Sequence, residues 1–349
     1  MSDIFRDAIY FLGDDAARED RDLPEDITSE DLVQLFRWMV ILRTFDERAV
    51  ALQRQGRLGN YPSCWGEEAT QAGALYACEP DDWVFPSYRQ QGMPILRGVP
   101  PATILKYRAG YGGKTGFWDP RAHRVAPIAI SIATHLPHAV GLAVAARMKQ
   151  DPIATLAWFG EGATSEGDFH EAMNFAAVFK APTIFFCTNN QWAISTPVRR
   201  QTATESIVEK AEAYGIAGVR IDGFDAVACC SATRDAFSRA RKGEGPTLIE
   251  AVTYRIGPHA TADDPARYRD ATEAEGFRRF EPIERLAAFM RRRSFIDEAR
   301  EAEIHAEAKA LVADAVAELK ASARPGPEVL FETTYAGSRP PRLEQGDVV

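Results

Sequence analysis

Residues 153–190, IATLAWFGEGATSEGDFHEAMNFAAVFKAPTIFFCTNN, predict a strand–loop–helix–strand unit. The apolar run from Ile153 to Phe159 is typical of a buried strand, and Thr183 to Thr188 is a second such run. Between them, apolar residues recur at helical spacing from Gly167 to Lys180. A helix that joins two parallel strands forms a right-handed crossover. The stretch therefore predicts an α/β fold, with a mostly parallel sheet and helices on both faces.

Polar residues follow both predicted strands. Glu161 stands between Gly160 and Gly162 after the first strand, and an Asn pair ending in Asn190 follows the second. Open parallel sheets bind ligands at this edge. A carboxylate repels phosphate unless a divalent cation lies between them, and Mg²⁺ prefers oxygen ligands such as Glu161 and the Asn190 amide. The glycines permit a tight turn and close backbone approach. The helix near Gly167 offers free N–H groups to phosphate.

These residues also have interpretations other than a metal site. Gly160 and Gly162 can be ordinary turn residues, with the Asn pair as a cap. A dinucleotide fingerprint, Gly-x-Gly-x-x-Gly, fails because Ser165 occupies the third glycine position. A P-loop fails because no Gly-Lys-Ser/Thr follows. The combination of carboxylate, crossover and paired amides favours a site for a metal and a diphosphate.

A longer segment carries a family resemblance. Residues 159–196, FGEGATSEGDFHEAMNFAAVFKAPTIFFCTNNQWAIST, resemble the alpha subunit of two-component 2-oxoacid dehydrogenases, and the likeness extends from about Leu42 to Asp270. The resemblance implies the thiamine diphosphate-binding fold, with thiamine diphosphate and Mg²⁺ as cofactors. It also implies oxidative decarboxylation of a small 2-oxoacid, with transfer of the acyl group to the lipoyl domain of an acyltransferase.

The resemblance assigns roles to residues on several segments. It adds the backbone carbonyl of Trp192 to Glu161 and Asn190 as a third metal ligand. His259 is the expected catalytic residue, because a histidine can donate to a diphosphate when protonated and can act as acid or base near neutral pH. The expected cofactor-binding residues are Tyr88, Arg89, Ile132, Gly160, Gly162, Ala163, Arg255 and His259.

Taken singly, some of these residues have simpler interpretations. Arg89 can be a surface charge, His259 an exposed loop residue and Ile132 a core residue. Their occurrence together in family segments favours the functional roles. His135 and His138 lie three residues apart near a predicted helix start, where packing or capping is expected.

Three residues depart from the family pattern. Thr188 stands where relatives often carry a charged residue, so one diphosphate contact is missing or is supplied elsewhere. Trp192 replaces the commoner Tyr, which matters little if its carbonyl is the ligand. Ala260 occupies the position of a regulatory serine in mitochondrial relatives. Because alanine has no hydroxyl group, this position cannot be phosphorylated.

Composition excludes several classes of protein. The net charge of −9 argues against nonspecific nucleic-acid binding. No apolar run is long enough to span a bilayer, and the acidic N-terminus lacks a signal-peptide pattern. Five cysteines without regular spacing argue against a disulfide framework. A cytoplasmic enzyme without nucleic-acid or membrane partners is expected.

Three parts are predicted along the chain. Residues 1–27 form an acidic N-terminal arm that is expected to be mobile. Residues 28–275 form the thiamine diphosphate-binding α/β domain, whose first helix begins at the capping-box-like Thr28-x-x-Asp31. Residues 276–349 form a helical C-terminal extension and tail. Within the domain, residues 110–126 are rich in glycine and charge and are expected to form a surface loop.

The family resemblance also predicts a partner subunit. In this family the carboxylate that contacts the aminopyrimidine nitrogen comes from the beta subunit. The resemblance therefore implies a heterotetramer of two alpha and two beta subunits, with the cofactor between unlike chains. The segments around Pro258 and Gln201 look most like bacterial pyruvate-type members. Pyruvate is therefore the predicted substrate, with a branched-chain substrate (2-oxoisovalerate) or acetoin as alternatives. A non-catalytic scaffold of the same fold is a hypothesis of a different class.

Overall fold

A computed structural model describes residues 2–14, 18–112 and 117–326. Its strands are β1 Trp83–Phe85, β2 Thr155–Gly160, β3 Thr183–Asn189, β4 Trp192–Ala193, β5 Thr196–Pro197, β6 Ala217–Asp222 and β7 Thr247–Val252. Five of them form one sheet in the order β1-β2-β3-β7-β6, and every pair of neighbours is parallel. Strands β4 and β5 form a separate antiparallel hairpin. The sheet confirms the predicted mostly parallel α/β architecture.

Helices cover both faces of this sheet. They are α1 Ser29–Arg54, α2 Glu68–Tyr76, α3 Met93–Leu96, α4 Pro101–Arg108, α5 Pro120–His123, α6 Leu136–Lys149, α7 Gly167–Val178, α8 Lys210–Ala213, α9 Ala226–Arg241, α10 Ala271–Glu275, α11 Pro282–Arg292 and α12 Glu298–Ala321. Successive strand residues point to opposite faces. Leu156 and Trp158 of β2 therefore join the core that includes α4 and α9, whereas Ala157 and Phe159 join the core of α6 and α7.

The predicted strand–helix–strand unit is present as β2, α7 and β3. Strand β2 pairs in parallel with β3, and Gly160 stands opposite Thr188 in this register. Glu161 and Asn190 consequently lie just beyond the carboxyl ends of two adjacent strands. Strand β7 pairs with the other edge of β3, so the segment that follows β7 emerges at the same edge of the sheet.

The N-terminal residues contradict the prediction of a mobile arm. Phe5 and Leu12 are buried, and Ile9 forms a parallel bridge to β6 at the edge of the sheet. The buried carboxylate of Asp225 accepts hydrogen bonds from the backbone N–H groups of Phe11 at 2.6 Å and Leu12 at 2.7 Å. Sequence patterns within the first residues could not reveal this packing, because the partners lie more than 200 positions away.

The predictions for the remaining segments are confirmed only in part. The capping box of Thr28 and Asp31 begins α1 as expected. Helices α11 and α12 give residues 282–321 the predicted helical character, and the predicted tail from residue 327 onward lies outside the described residues. Trp118 is buried and donates to the carbonyl of Val125 at 2.9 Å, so the segment 110–126 is not simply a surface loop. None of the described helices could cross a membrane, because none is both long and apolar enough.

Candidate active site

A cavity of about 840 Å³ opens at the carboxyl ends of β1, β2 and β3. Its volume lies within the range of pockets that hold small molecules and cofactors. The structure brings together all of the predicted site residues except Arg255. The cavity-lining members are Tyr88, Arg89, Ile132, Gly160, Glu161, Gly162, Ala163, Asn190, Trp192 and His259.

The predicted metal ligands Glu161 and Asn190 are direct neighbours. The backbone N–H of Asn190 lies 3.3 Å from Oε2 of Glu161 and donates to it. The Asn190 side chain accepts from the backbone N–H of Trp192 at 3.3 Å and donates from Nδ2 to Oε1 of Glu67 at 2.8 Å. Strand register explains this geometry, because parallel pairing of β2 with β3 ends both strands at one place.

The Glu161 carboxylate is deeply buried. Its side chain is 1% exposed, and its second oxygen accepts from Nε2 of Gln201 at 3.4 Å. Within the described ranges, no Lys or Arg nitrogen lies within 4.0 Å of this carboxylate. Burial raises the pKa of Glu161, because the charged form loses its hydration. A buried carboxylate is stabilised by a cation, so the site chemically fits a divalent metal ion.

The predicted tight turn does not explain the two glycines beside Glu161. Gly160 has φ −89° and ψ 165°, a conformation that any residue adopts. A Cβ built on Gly162 would lie 2.7 Å from the Cβ of Ala193 in β4. Gly162 is therefore required for close packing between the Glu161–Ser165 turn and the β4–β5 hairpin.

This 3₁₀ turn, rather than α7, forms the cavity wall. Gly160, Gly162, Ala163 and Ser165 line the cavity, whereas the first residues of α7 do not. The predicted contribution of N–H groups from the start of α7 near Gly167 is therefore wrong for this cavity. The first N–H groups of any helical turn lack intrahelical partners, and here the 3₁₀ turn is the one that faces the cavity.

Arg89 is held between three segments at the cavity wall. Its Nη1 donates to the carbonyl of Ser63 at 2.7 Å and to that of His259 at 3.2 Å. Its Nη2 lies 3.2 Å from Nδ1 of His259, and its Nε lies 3.6 Å from the Glu67 carboxylate. The Tyr88 ring packs edge-on against the His259 ring, with centroids 5.7 Å apart. The guanidinium is therefore buried and fixed rather than a solvated surface charge.

His259 is neutral in this environment. Burial, followed by the nearby Arg89 and Arg255 guanidinium groups, lowers the pKa of His259 to about 4. Because Arg89 can only donate, Nδ1 of His259 accepts, and the proton of the neutral ring lies on Nε2. His259 can therefore donate a hydrogen bond from Nε2 without carrying a charge.

Arg255 lies behind the cavity wall and holds the loops that form it. It donates to the carbonyls of Trp192 at 3.0 Å and Ile194 at 2.7 Å, and to the hydroxyl of Tyr268 at 2.7 Å. The Trp192 carbonyl, a predicted metal ligand, thus already accepts one hydrogen bond, and its second lone pair is available. Arg255 organises the β4–β5 hairpin rather than lining the cavity.

A hydroxyl–carboxylate pair holds the loop that carries His259. Tyr268 donates to the Asp263 carboxylate at 2.5 Å, and the backbone N–H of His259 donates to the same oxygen at 2.8 Å. Partial burial raises the pKa of Asp263, but these hydrogen bonds bring it below its ordinary value. Tyr268 therefore fixes the loop between β7 and α10. The sequence interpretation did not identify this residue, because tyrosine has no distinctive spacing there.

Several cavity residues were not predicted from sequence. Glu67 is the most notable, because burial raises its pKa to about 7 although Arg89 and Asn190 contact it. Its sequence signal is one of two adjacent glutamates at the start of an Ala-rich helical run. Three further polar atoms of cavity-lining residues are buried without a partner among the described residues: Nε of Arg108, Oγ1 of Thr188 and Oε1 of Gln201. Such orphaned atoms are expected where a polar ligand binds.

Comparison with known proteins identifies the family. A family model described as "Dehydrogenase E1 component" matches residues 36–328. The chain belongs to the dehydrogenase E1 component family. It is 46% identical over 293 residues to the 3-methyl-2-oxobutanoate dehydrogenase subunit alpha of Mycobacterium tuberculosis, a match that covers 84% of this chain and 78% of that one. It is 38% identical over 328 residues to the pyruvate dehydrogenase E1 component subunit alpha of Staphylococcus aureus (strain MW2), covering 94% and 88%.

Membership confirms the predicted family, the thiamine diphosphate-binding α/β fold and the class of enzyme. The chain is an alpha-type subunit of a dehydrogenase E1 component, an oxidoreductase that depends on thiamine diphosphate. An alpha-type E1 subunit has a beta subunit as its partner. The matched residues include all of the cavity-lining segments described above.

Proposed function

We propose that this alpha subunit, together with a beta subunit, decarboxylates a 2-oxoacid oxidatively and passes the acyl group to a lipoyl domain. Pyruvate is the first proposed substrate. The observation that carries the proposal is the Glu161 carboxylate, which is buried beside Asn190 at the edge of the sheet and forms no ion pair with any described Lys or Arg. The assembly is proposed to be a heterotetramer of two alpha and two beta subunits in the cytoplasm.

In this proposal, Mg²⁺ and thiamine diphosphate bind in the 840 Å³ cavity. The Glu161 carboxylate, the Asn190 amide oxygen and the Trp192 carbonyl hold the cation, which offsets the charge of Glu161 and of the diphosphate. Tyr88 and Arg89 contact the diphosphate, since a fixed guanidinium presents donors to phosphate oxygens without losing much side-chain entropy. The remaining proposed cofactor contacts are Gly160, Gly162, Ala163 and the apolar side chain of Ile132. Arg255, predicted as a further contact, holds the hairpin that carries the Trp192 carbonyl instead.

The bound cofactor supplies the nucleophilic carbon and the electron sink for loss of carbon dioxide. The chain contributes binding, orientation and one fixed hydrogen-bond donor. His259 keeps its proton on Nε2, because burial and then the neighbouring Arg89 lower the pKa of the ring, and Arg89 donates to Nδ1. A neutral donor can stabilise negative charge on an oxygen atom without surrendering its proton. His259 is therefore proposed as the catalytic residue of this subunit.

Metal dependence is the first test of the proposal. In assembled alpha and beta subunits, Glu161→Ala should weaken retention of thiamine diphosphate and lower kcat/KM by at least the roughly 10- to 100-fold that loss of an outer-shell partner causes, because the cation loses its anionic ligand. Glu171→Ala, on the exposed face of α7, is the matched control. Assembly with normal cofactor binding and activity in Glu161→Ala would contradict the proposed metal site. A non-catalytic scaffold predicts that wild-type protein retains no cofactor.

Substrate choice needs a separate measurement. The relative with 46% identity is named for 3-methyl-2-oxobutanoate, which makes this branched-chain 2-oxoacid the second candidate. 3-Methyl-2-oxobutanoate has two more carbon atoms than pyruvate, and each methylene group in an acyl pocket changes discrimination by only about 1–3 kcal/mol. Values of kcat/KM should therefore be compared directly for pyruvate and 3-methyl-2-oxobutanoate on the reconstituted enzyme. A higher value for 3-methyl-2-oxobutanoate would overturn pyruvate as the first choice.

A further inference from the structure

We propose that Glu67 is a positioning residue, which orients the Asn190 amide so that Oδ1, and not Nδ2, faces the bound cation. This inference rests on the proposed function and deepens it. The oxygen and the nitrogen of an asparagine amide occupy almost the same volume, but the NH₂ group cannot bind a metal ion. A second residue must therefore decide which end faces the site.

The hydrogen bonds of Asn190 allow one orientation of its amide. Nδ2 donates to Oε1 of Glu67 at 2.8 Å, and Oδ1 accepts from the backbone N–H of Trp192 at 3.3 Å. In the flipped orientation, Oδ1 would face a carboxylate oxygen and Nδ2 would face an N–H group. Both contacts would be repulsive in a buried site, where the cost of mismatched polar groups is high. Oδ1 keeps a second lone pair for the cation.

Glu67 is itself held rigidly, as a positioning residue must be. Its side chain is 2% exposed, and Arg89 Nε lies 3.6 Å from the oxygen that accepts from Asn190. The next residue, Glu68, points away from the cavity and pairs with Arg43 at 2.6 Å, while its other oxygen accepts from Gly66 N–H at 2.9 Å. This anchor fixes the start of α2. Glu67 thereby links the proposed diphosphate contact Arg89 with the proposed metal ligand Asn190.

The test measures metal binding rather than activity alone. Alpha subunits are co-expressed with the beta subunit, and free Mn²⁺ is counted by electron paramagnetic resonance at saturating thiamine diphosphate. Glu67→Leu should weaken Mn²⁺ binding about 10- to 100-fold, the usual effect of losing an outer-shell partner of a metal ligand. Glu67→Gln should stay within about threefold of wild type, because an amide oxygen still accepts from Asn190 and faces Arg89.

Two further variants separate positioning from other roles. Glu68→Gln is a buried control on the same helix start, and it should lower thermal stability without changing the Mn²⁺ dissociation constant. Asn190→Asp places a second carboxylate against Glu67 and should weaken binding. Combining it with Glu67→Gln restores the hydrogen bond with donor and acceptor exchanged. The double variant should therefore bind Mn²⁺ at least about tenfold more tightly than Asn190→Asp alone.

The possible outcomes are distinct. Wild-type Mn²⁺ affinity in Glu67→Leu would overturn the role of Glu67 while leaving the proposed function intact. A Glu67→Gln variant as weak as Glu67→Leu would show that the charge matters, as a direct ligand would require, and would also overturn it. An equal loss of Mn²⁺ affinity in Glu68→Gln would show that any disturbance at the start of α2 weakens binding, and would overturn the specific role of Glu67. Failure of the wild-type assembly to bind Mn²⁺ with thiamine diphosphate would overturn both proposals.

Discussion

Replacing Gly162 with alanine tests how the metal-site turn packs against the β4–β5 hairpin. A Cβ at this position would lie 2.7 Å from the Cβ of Ala193. This is about 1 Å inside ordinary carbon–carbon contact, and overpacking of this kind costs about 1–3 kcal/mol. The turn must move away from the hairpin to relieve the clash. Because Glu161 immediately precedes Gly162, this movement shifts its carboxylate relative to Asn190.

The assay is the dissociation constant of thiamine diphosphate, followed by tryptophan fluorescence at fixed Mg²⁺ in assembled alpha and beta subunits. We expect Gly162→Ala to raise it about 10- to 100-fold, since each 1.4 kcal/mol corresponds to about tenfold. Adding Ala193→Gly removes the clash, because the remaining atoms near the built Cβ lie 3.6 Å and 3.8 Å away. The double variant should recover the lost binding free energy of thiamine diphosphate, except for the roughly 0.5–1 kcal/mol that glycine costs in a strand.

Gly167→Ala is the matched control, because a Cβ at that position meets no atom within 4 Å. It should bind the cofactor as the wild type does. Wild-type affinity in Gly162→Ala would refute the packing argument. A double variant that binds as weakly as Gly162→Ala would refute it as well, because the loss would then not come from contact with Ala193.

Two further predictions concern polar groups outside the metal site, one buried and one half-buried. Burial lowers the pKa of His135 from 6.5 to about 4. Below pH 6.5 the unfolded chain therefore binds a proton that the folded chain does not. The free energy of unfolding should fall by about 3 kcal/mol as the pH drops from 6.5 to 4. In urea unfolding across this range, the free energy of unfolding should depend less on pH in His135→Gln than in the wild type. The exposed control His138→Gln should behave as the wild type does. The same pH dependence in His135→Gln and wild type would contradict the role given to His135. Tyr268→Phe removes the hydrogen bonds to Asp263 and Arg255, each worth about 1.5–3 kcal/mol at a charged group, and should speed tryptic cleavage of the loop after β7 about tenfold or more. An unchanged cleavage rate would show that the hydroxyl does not hold the loop.

The core of the candidate site could be predicted from sequence because it follows from strand geometry. Buried parallel strands have continuous apolar runs, and their carboxyl ends meet at one edge. Once β2 and β3 were predicted, Glu161 and Asn190 had to be close together. Tyr88 and Arg89 follow β1, but their place in the site was predicted from the family resemblance. The local pattern therefore predicted the pair Glu161 and Asn190, and the resemblance added the residues from other segments.

Contacts between distant segments could not be predicted in this way. Glu67 reaches Asn190 across 123 positions, and no local spacing indicates that the start of α2 faces the cavity. The N-terminal residues reach Asp225 across more than 200 positions. Gly162 was assigned to a tight turn, whereas its neighbour Ala193 explains it better. In each case the partner comes from tertiary packing rather than from the periodicity of one segment.

A crystal structure of the assembled alpha and beta subunits with thiamine diphosphate and Mg²⁺ tests the central claim most directly. We expect one Mg²⁺ ion within about 2.1 Å of both a Glu161 carboxylate oxygen and Oδ1 of Asn190, with diphosphate oxygens completing its coordination. A fully occupied cofactor whose Mg²⁺ lies more than about 4 Å from these two oxygens, beyond any coordination distance, would contradict the account.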